Sequence, residues 1–301
     1  MRFPLIPLVA AMLPLCAAVA ANAPSTGELN LLTLSIDEFL SEIMYRQPKH
    51  MIDDVAPDGA VGVNSRFETK QAPEWFIEQQ RGGGDLVQAG VILKNDALIS
   101  EGVRIINWGF AHQGPGGDFP GTGDPLHSTS FFVETAARAT LLMQLANDPR
   151  YQAQIAEWTP KVKAAARWMI RPDVAQKGRE NNLLPYTHRF YLRAAALGLA
   201  GAVTGDNELS QAALAYAREA VTRQQPDGVN PEKDGFDVSY QMVGVCFALR
   251  YLTVCPDETL RAKIKDMTRK AVDNALTMMA PDGTVSIEGS TRAGHEKSRA
   301  G

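Results

Sequence analysis

The chain has 301 residues, of which 45% are apolar and 21% are charged, and its 30 basic and 34 acidic side chains give a net charge of −4. This apolar fraction allows a folded core and excludes a wholly disordered chain. The small acidic excess argues against a dedicated nucleic-acid-binding protein, which usually carries a basic excess. The only long apolar run of the sequence is at its N-terminus, so no transmembrane helix is expected after this run is removed.

The first 23 residues have the pattern of a secretory signal peptide. Arg2 supplies a positive charge, residues 3–20 are apolar, and Ala21-Asn22-Ala23 fits the small-x-small pattern that precedes a cleavage site. We therefore predict a periplasmic or secreted protein that loses residues 1–23 and folds residues 24–301 as a single domain. A short membrane anchor is the alternative, because the apolar run is near the lower length limit for a span.

Turns that contain proline and glycine recur along the rest of the chain at a nearly constant interval. Their prolines are separated by 58, 57, 54 and 55 residues. A fixed period of this size is typical of stacked supersecondary units. The five turns are Pro57-Asp58-Gly59, Gly114-Pro115-Gly116-Gly117-Asp118, Arg171-Pro172-Asp173, Pro226-Asp227-Gly228 and Pro281-Asp282-Gly283.

Two kinds of helical segment alternate between these turns. Residues 131–145, 190–203 and 238–254 are apolar on nearly every side, which predicts buried inner helices. The segments that begin near Leu209 and Leu260 carry one apolar stripe at helical spacing, which predicts outer helices with one face in water. Each unit therefore consists of an inner helix, a short link, an outer helix and a long loop.

Repetition of such hairpins about an axis predicts an all-α fold, an incomplete (α/α) toroid of about four helical hairpins. An open solenoid of helical hairpins is the alternative. Residues 31–54 are expected to form an outer helix of the first unit. In the second unit, Gly82-Gly83-Gly84 is expected to interrupt the inner segment, because glycine disfavours the interior of a helix.

The helix order and the period resemble those of α/α-toroid enzymes that act on polysaccharides. These include alginate-lyase-like, heparinase-like and hyaluronate-lyase-like polysaccharide lyases, and unsaturated-uronyl hydrolases. Residues 180–190 give the sharpest local likeness, because they resemble the Asn-Asn-His segment that precedes a small-residue-rich inner helix in alginate lyases. Five residues separate Asn182 from His188 here, whereas the lyase motif has the two adjacent. The resemblance covers residues 30–292 by pattern and implies action on an acidic polysaccharide.

Elimination from a uronate requires a group that neutralises the carboxylate, a base that removes the C5 proton and an acid that protonates the leaving oxygen. Residues of these types cluster near the starts of the predicted inner helices, which meet at one end of a toroid. The candidate catalytic residues are His188, Tyr240, Asn181 and Asn182. The candidate substrate-binding residues are Arg189, Arg292, Tyr186, His127, Trp75 and Gln241, with Trp75 expected in a loop.

Each of these assignments has a purely structural alternative. His188 could hydrogen-bond a loop, Tyr240 could pack in the core, and Asn181-Asn182 could form a turn and a helix cap. A glycoside hydrolase on the same scaffold would instead need a carboxylate pair. The acidic residues that could supply such a pair are Asp118, Asp124, Asp234, Asp237 and Glu288.

A third interpretation is a non-catalytic glycan-binding or exopolysaccharide-assembly protein. The predicted partner in all three cases is an acidic polysaccharide, and a monomer is the expected oligomeric state. No cofactor and no metal site are predicted. The acidic loops would allow Ca²⁺, but the sequence has no EF-hand-like spacing of its acidic residues.

Overall fold

A computed structural model describes residues 55–61, 72–180, 186–233, 235–281 and 285–291. This part of the chain is helical with isolated β-bridges and no strand, so the predicted all-α class is confirmed. None of the described helices combines the length and the apolar character needed to cross a membrane. The predicted signal peptide and the predicted helix at 31–54 lie outside the described residues.

The helices pack as successive hairpins. In chain order the described helices are α1 (Ala72–Gln79), α2 (Gly82–Leu93), α3 (Asp96–Ala111), α4 (Pro125–Ala146), α5 (Gln152–Met169), α6 (Pro172–Glu180), α7 (Thr187–Thr204), α8 (Asn207–Val221), α9 (Val238–Leu252) and α10 (Glu258–Leu276). Helices α2, α4, α7 and α9 form a row in which each packs on the next, and each also packs on the helix after it, namely α3, α5, α8 and α10. The turn predicted at Pro172 is instead the start of α6, where proline is well tolerated.

Burial distinguishes most of the inner row from the outer helices, but α9, predicted to be buried on every side, exposes Met242 and Leu249 at 36% and 47%. Helix α7 is buried along almost its whole length, because its run of alanines and glycines lets neighbours approach from several sides. Helix α10 buries only the stripe formed by Leu260, Ile264, Met267 and Ala271. The outer helices α8 and α10 start at Asp206 and Asp257, whose carboxylates accept backbone N–H groups of the first turn.

The glycine run at 82–84 begins helix α2 and does not interrupt it, which corrects the prediction. A Cβ atom at Gly83 would lie 2.8 Å from Cγ1 of Ile106, and one at Gly84 would lie 2.8 Å from the carbonyl oxygen of Thr135. The absence of side chains therefore allows α2 to approach both α3 and α4 closely. Tertiary packing overrides the low helix propensity of glycine here.

Three of the five predicted turns share a glycine in the same conformation. Gly59, Gly117 and Gly228 have positive φ angles of 101°, 86° and 90°. Two of these turns are tied to the rest of the fold in the same way. Gln113 and Gln224 each stand four residues before their glycine, and each donates from Nε2 to the glycine carbonyl and to a carbonyl of the next outer helix, α5 or α10.

A partly buried ion-pair network links helices of the inner row. Arg138 of α4 contacts Glu134 and Asp85 at 2.8 Å each. Arg250 of α9 contacts the same two carboxylates at 3.1 Å each. Because Asp85 lies on α2, its contact with Arg250 joins the first and last helices of the row through side chains.

Candidate functional site

The N-terminal ends of α7 and α9 bring two of the predicted catalytic residues together. His188 is the second residue of α7, and Tyr240 is the third residue of α9. Their rings stack face to face, with 4.1 Å between centroids and 8° between planes. The position of Tyr240 is fixed at its backbone, because its N–H donates to the capping carboxylate of Asp237 at 2.8 Å.

His188 is held by a buried carboxylate that the sequence analysis did not single out. Oε1 of Glu232 accepts the backbone N–H of His188 at 2.8 Å, and Oε2 lies 2.7 Å from Nδ1. Both side chains are 1% exposed. An ionised carboxylate only accepts hydrogen bonds, so Nδ1 carries the proton, and in a neutral ring the lone pair is left on Nε2. Nε2 is buried and has no hydrogen-bond partner among the described residues.

Arg189 and Tyr186 form the neighbouring part of the site. The guanidinium of Arg189 donates to Oδ2 of Asp124 at 2.9 Å and lies 4.5 Å above the centroid of the Tyr186 ring. The ring of Tyr186 is perpendicular to that of His188, with 6.2 Å between centroids. Asp124 also accepts the backbone N–H of His127 as the N-cap of α4, so it fixes both the helix start and the arginine.

His127 lies inside the same cluster. Its ring is 6.0 Å from that of His188 and 4.9 Å from that of Phe131, centroid to centroid. Burial lowers the pKa of His127 well below its usual value, and the positive charges of Arg189 and other nearby groups lower it further. The imidazole is therefore neutral at pH 7.

Gln241 lies apart from this cluster, and its prediction as a substrate-binding residue gains no support. It is fully buried, and its side-chain amide is used within the protein. Oε1 accepts the N–H of Asn230, and Nε2 donates to the carbonyls of Gly228 and Ala271. Gln241 follows Tyr240 by one position, about 100° around the helix, so it faces α10 instead of the histidine.

Four other candidates are described only in part or not at all. Trp75 lies within helix α1, not in the predicted loop, and its side chain is outside the described part of the structure. Asn181, Asn182 and Arg292 lie outside the described residues.

Two of the five carboxylates considered for hydrolysis have structural roles. Asp124 and Asp237 cap α4 and α9, and Asp124 also pairs with Arg189. Asp234 is outside the described residues. Within the described chain, no group of three or more histidine, cysteine or acidic side chains is placed to hold a metal ion.

The site therefore presents an oriented imidazole, a stacked phenol and an arginine within one cluster. No known family model matches this chain, and no curated protein or solved structure matches it. The residues themselves carry the functional argument.

Glu232 is the site residue that sequence reasoning missed. It follows Pro231 in the loop before α9, next to acidic residues that were considered for hydrolysis. It lies 44 residues from His188 in sequence, and no local pattern connects the two. Considering every carboxylate of that loop as a histidine partner would have found it.

Proposed function

We propose that this protein is an exported polysaccharide lyase that cleaves an acidic, uronate-containing polysaccharide by β-elimination. The observation that carries the proposal is the parallel stack of His188 and Tyr240, in which Glu232 orients the imidazole. A base and a phenol held this close can act on neighbouring atoms of one sugar ring.

The proposed scaffold is an incomplete (α/α) toroid. Four features support it: the continuous row of α2, α4, α7 and α9, the outer partner of each, the shared glycine conformation of three turns and the contact between Arg250 and Asp85. In such a ring the inner-helix N-termini that carry His188 and Tyr240 meet at one end. Their helix dipoles would favour an anionic ligand there.

In the proposed reaction, Nε2 of His188 takes the proton from C5 of the uronate. The C5–H electron pair forms the C4=C5 double bond, and the bond between C4 and the glycosidic oxygen breaks. The Tyr240 hydroxyl gives its proton to that oxygen. Arg189 would pair with the substrate carboxylate and so acidify the C5 proton, and Glu232 would stabilise the imidazolium that forms.

His188 is 1% exposed, so the reaction requires a local opening that brings Nε2 into contact with the substrate. Such opening is ordinary for residues near loops and helix ends. Asp124 and Asp237 already cap helices, so a hydrolase would have to use other carboxylates, such as Asp118 or Glu288. Non-catalytic glycan binding would use the same arginine and aromatic residues, and only an activity assay separates it from the lyase.

The test is to incubate the purified protein with a panel of acidic polysaccharides and to follow the ultraviolet absorbance of the unsaturated product. His188→Ala should abolish the absorbance change while leaving the far-UV helical signal intact. His112→Ala is the control, because His112 is an exposed histidine at the end of α3. New reducing ends without the absorbance change would favour a hydrolase, and retention on a polymer with neither signal would favour a binding protein.

Tyr240→Phe tests the acid with the loss of one hydroxyl group. We expect turnover to fall about 100-fold or more, as is typical when a general acid is removed. Tyr151→Phe, on a half-buried tyrosine outside the site, should leave turnover unchanged. Unchanged turnover in Tyr240→Phe would remove Tyr240 from the proposed mechanism.

A further inference from the structure

Arg193 lies on α7, one helical turn after Arg189, and its charge is not neutralised by a direct contact. The residue is 1% exposed. All three guanidinium nitrogens are buried, and none has a hydrogen-bond partner among the described residues. Buried charged groups are almost always paired, because burying an unpaired charge is costly. An orphaned guanidinium of this kind therefore calls for an acceptor.

Two aromatic rings frame the guanidinium of Arg193. Its central carbon is 5.8 Å from the ring centroid of Phe190 and 5.7 Å from that of Tyr216. Cation–π contacts of this kind offset part of the cost of burial. They do not satisfy the five N–H donors of the guanidinium, which point outward in its own plane.

The groups around Arg193 add positive charge. Arg179 and Arg223 lie near the same two rings and share one carboxylate, Glu219. Arg189 is paired with Asp124. Asp124 and Glu219 thus pair with three of these arginines, whereas Arg193 forms no ion pair with a described residue.

We propose that Arg193 binds a small oxyanion, a carboxylate or sulfate group, inside the protein between α7 and α8. Such a group has two oxygens that match the planar fork of a guanidinium, and it would neutralise the charge of Arg193. The same chemistry could come from a free oxyanion or from the carboxylate of a uronate. The proposal uses neither His188 nor Tyr240, so it stands or falls separately from the lyase reaction.

The experiment is thermal unfolding of the full-length mature protein in a low-salt zwitterionic buffer. Sodium sulfate, sodium acetate, sodium chloride or a trigalacturonate is titrated in, and wild type is compared with Arg193→Met. An anion at 100 times its Kd should raise the wild-type Tm by about 5–10 °C. The Tm of Arg193→Met should follow only the general salt effect, which the variant serves to subtract.

Arg218→Met is the matched control, because Arg218 is an exposed arginine of α8 paired with Asp257. It should respond to anions as wild type does. Arg193→Lys keeps the charge but loses the fork, so its half-saturating anion concentration should rise about tenfold. This variant keeps the test decisive if Arg193→Met does not fold.

The pattern of responses identifies the source of the anion. A response to sulfate and acetate supports a free oxyanion, and a response to trigalacturonate alone supports a uronate carboxylate. A wild-type Tm that tracks that of Arg193→Met in every titration would overturn the proposal, because Arg193 would then be satisfied within the chain. A specific response to chloride alone would overturn the assignment to an oxyanion.

Discussion

Replacing Glu232 separates its structural role from its proposed role in catalysis. Its two carboxylate oxygens accept the backbone N–H and the Nδ1–H of His188, and both residues are buried. Glu232→Ala leaves two buried donors without an acceptor, and each such loss costs about 1–3 kcal/mol. The free energy of unfolding should therefore fall by about 2–6 kcal/mol.

Glu232→Gln should be much milder for stability. The glutamine carbonyl oxygen can still accept the backbone N–H of His188, and the amide nitrogen can donate to Nδ1 if the imidazole moves its proton to Nε2. The loss of a charge-assisted hydrogen bond should cost about 1 kcal/mol. The proton on Nε2 removes the base, so turnover should fall about 100-fold to 10,000-fold, the range for general-base catalysis.

Three measurements check this reasoning: denaturant unfolding, the ¹⁵N shifts of the His188 ring, and the rate of unsaturated product formation. Glu157→Gln is the control, because it alters a half-exposed carboxylate of α5 and should change the unfolding free energy by less than about 0.5 kcal/mol. Full turnover in Glu232→Gln, or an imidazole that keeps its proton on Nδ1, would refute the proposed role of His188.

Three further predictions concern stability. Gly117→Ala should lower the free energy of unfolding, measured with denaturant, by about 1–3 kcal/mol more than Gly121→Ala. Both glycines have a positive φ, but only a Cβ at Gly117 would lie 2.3 Å from a carbonyl oxygen of α5. Equal losses would contradict the close packing of this turn on α5. Because the pKa of His127 is lowered in the folded protein, only the unfolded chain takes up a proton at this residue below about pH 6.5. The free energy of unfolding should therefore fall by up to about 1.4 kcal/mol per pH unit between pH 6.5 and 5. His127→Asn should flatten this slope. Arg138→Met should lower the free energy of unfolding by about 3–5 kcal/mol, because it leaves a buried carboxylate short of its partner. Arg250→Met, at a side chain that is 30% exposed, should lower it by about 1 kcal/mol or less. Similar losses in both variants would show that burial does not decide the contribution of these arginines.

The helical hairpins were predictable because their signal is local. Buried and striped helices differ in the spacing of apolar residues, and this spacing depends only on helix geometry. The sequence-based ranges at 190–203 and 238–254 agree with α7 and α9 to within a few residues. The glycine run at 82–84 was misinterpreted because its role depends on how closely α3 and α4 approach, which local sequence does not encode.

The site was predictable only in part, for a similar reason. His188 and Tyr240 were identified because polar rings at the start of apolar helices stand out in sequence. Glu232 and Arg193 did not stand out, because the function of each depends on contacts made after folding. Gln241 does not join the cluster, because one position along a helix turns a side chain by about 100°, from the neighbourhood of His188 to the face that packs on α10.

The most direct test of the proposed lyase is the ultraviolet absorbance of the reaction products, measured with the purified protein and a panel of acidic polysaccharides. Elimination by His188 predicts a rise with at least one polymer, and loss of that rise in His188→Ala at unchanged helical content. Cleavage that yields new reducing ends without this absorbance would contradict elimination, and so would retention on a polymer with no cleavage at all.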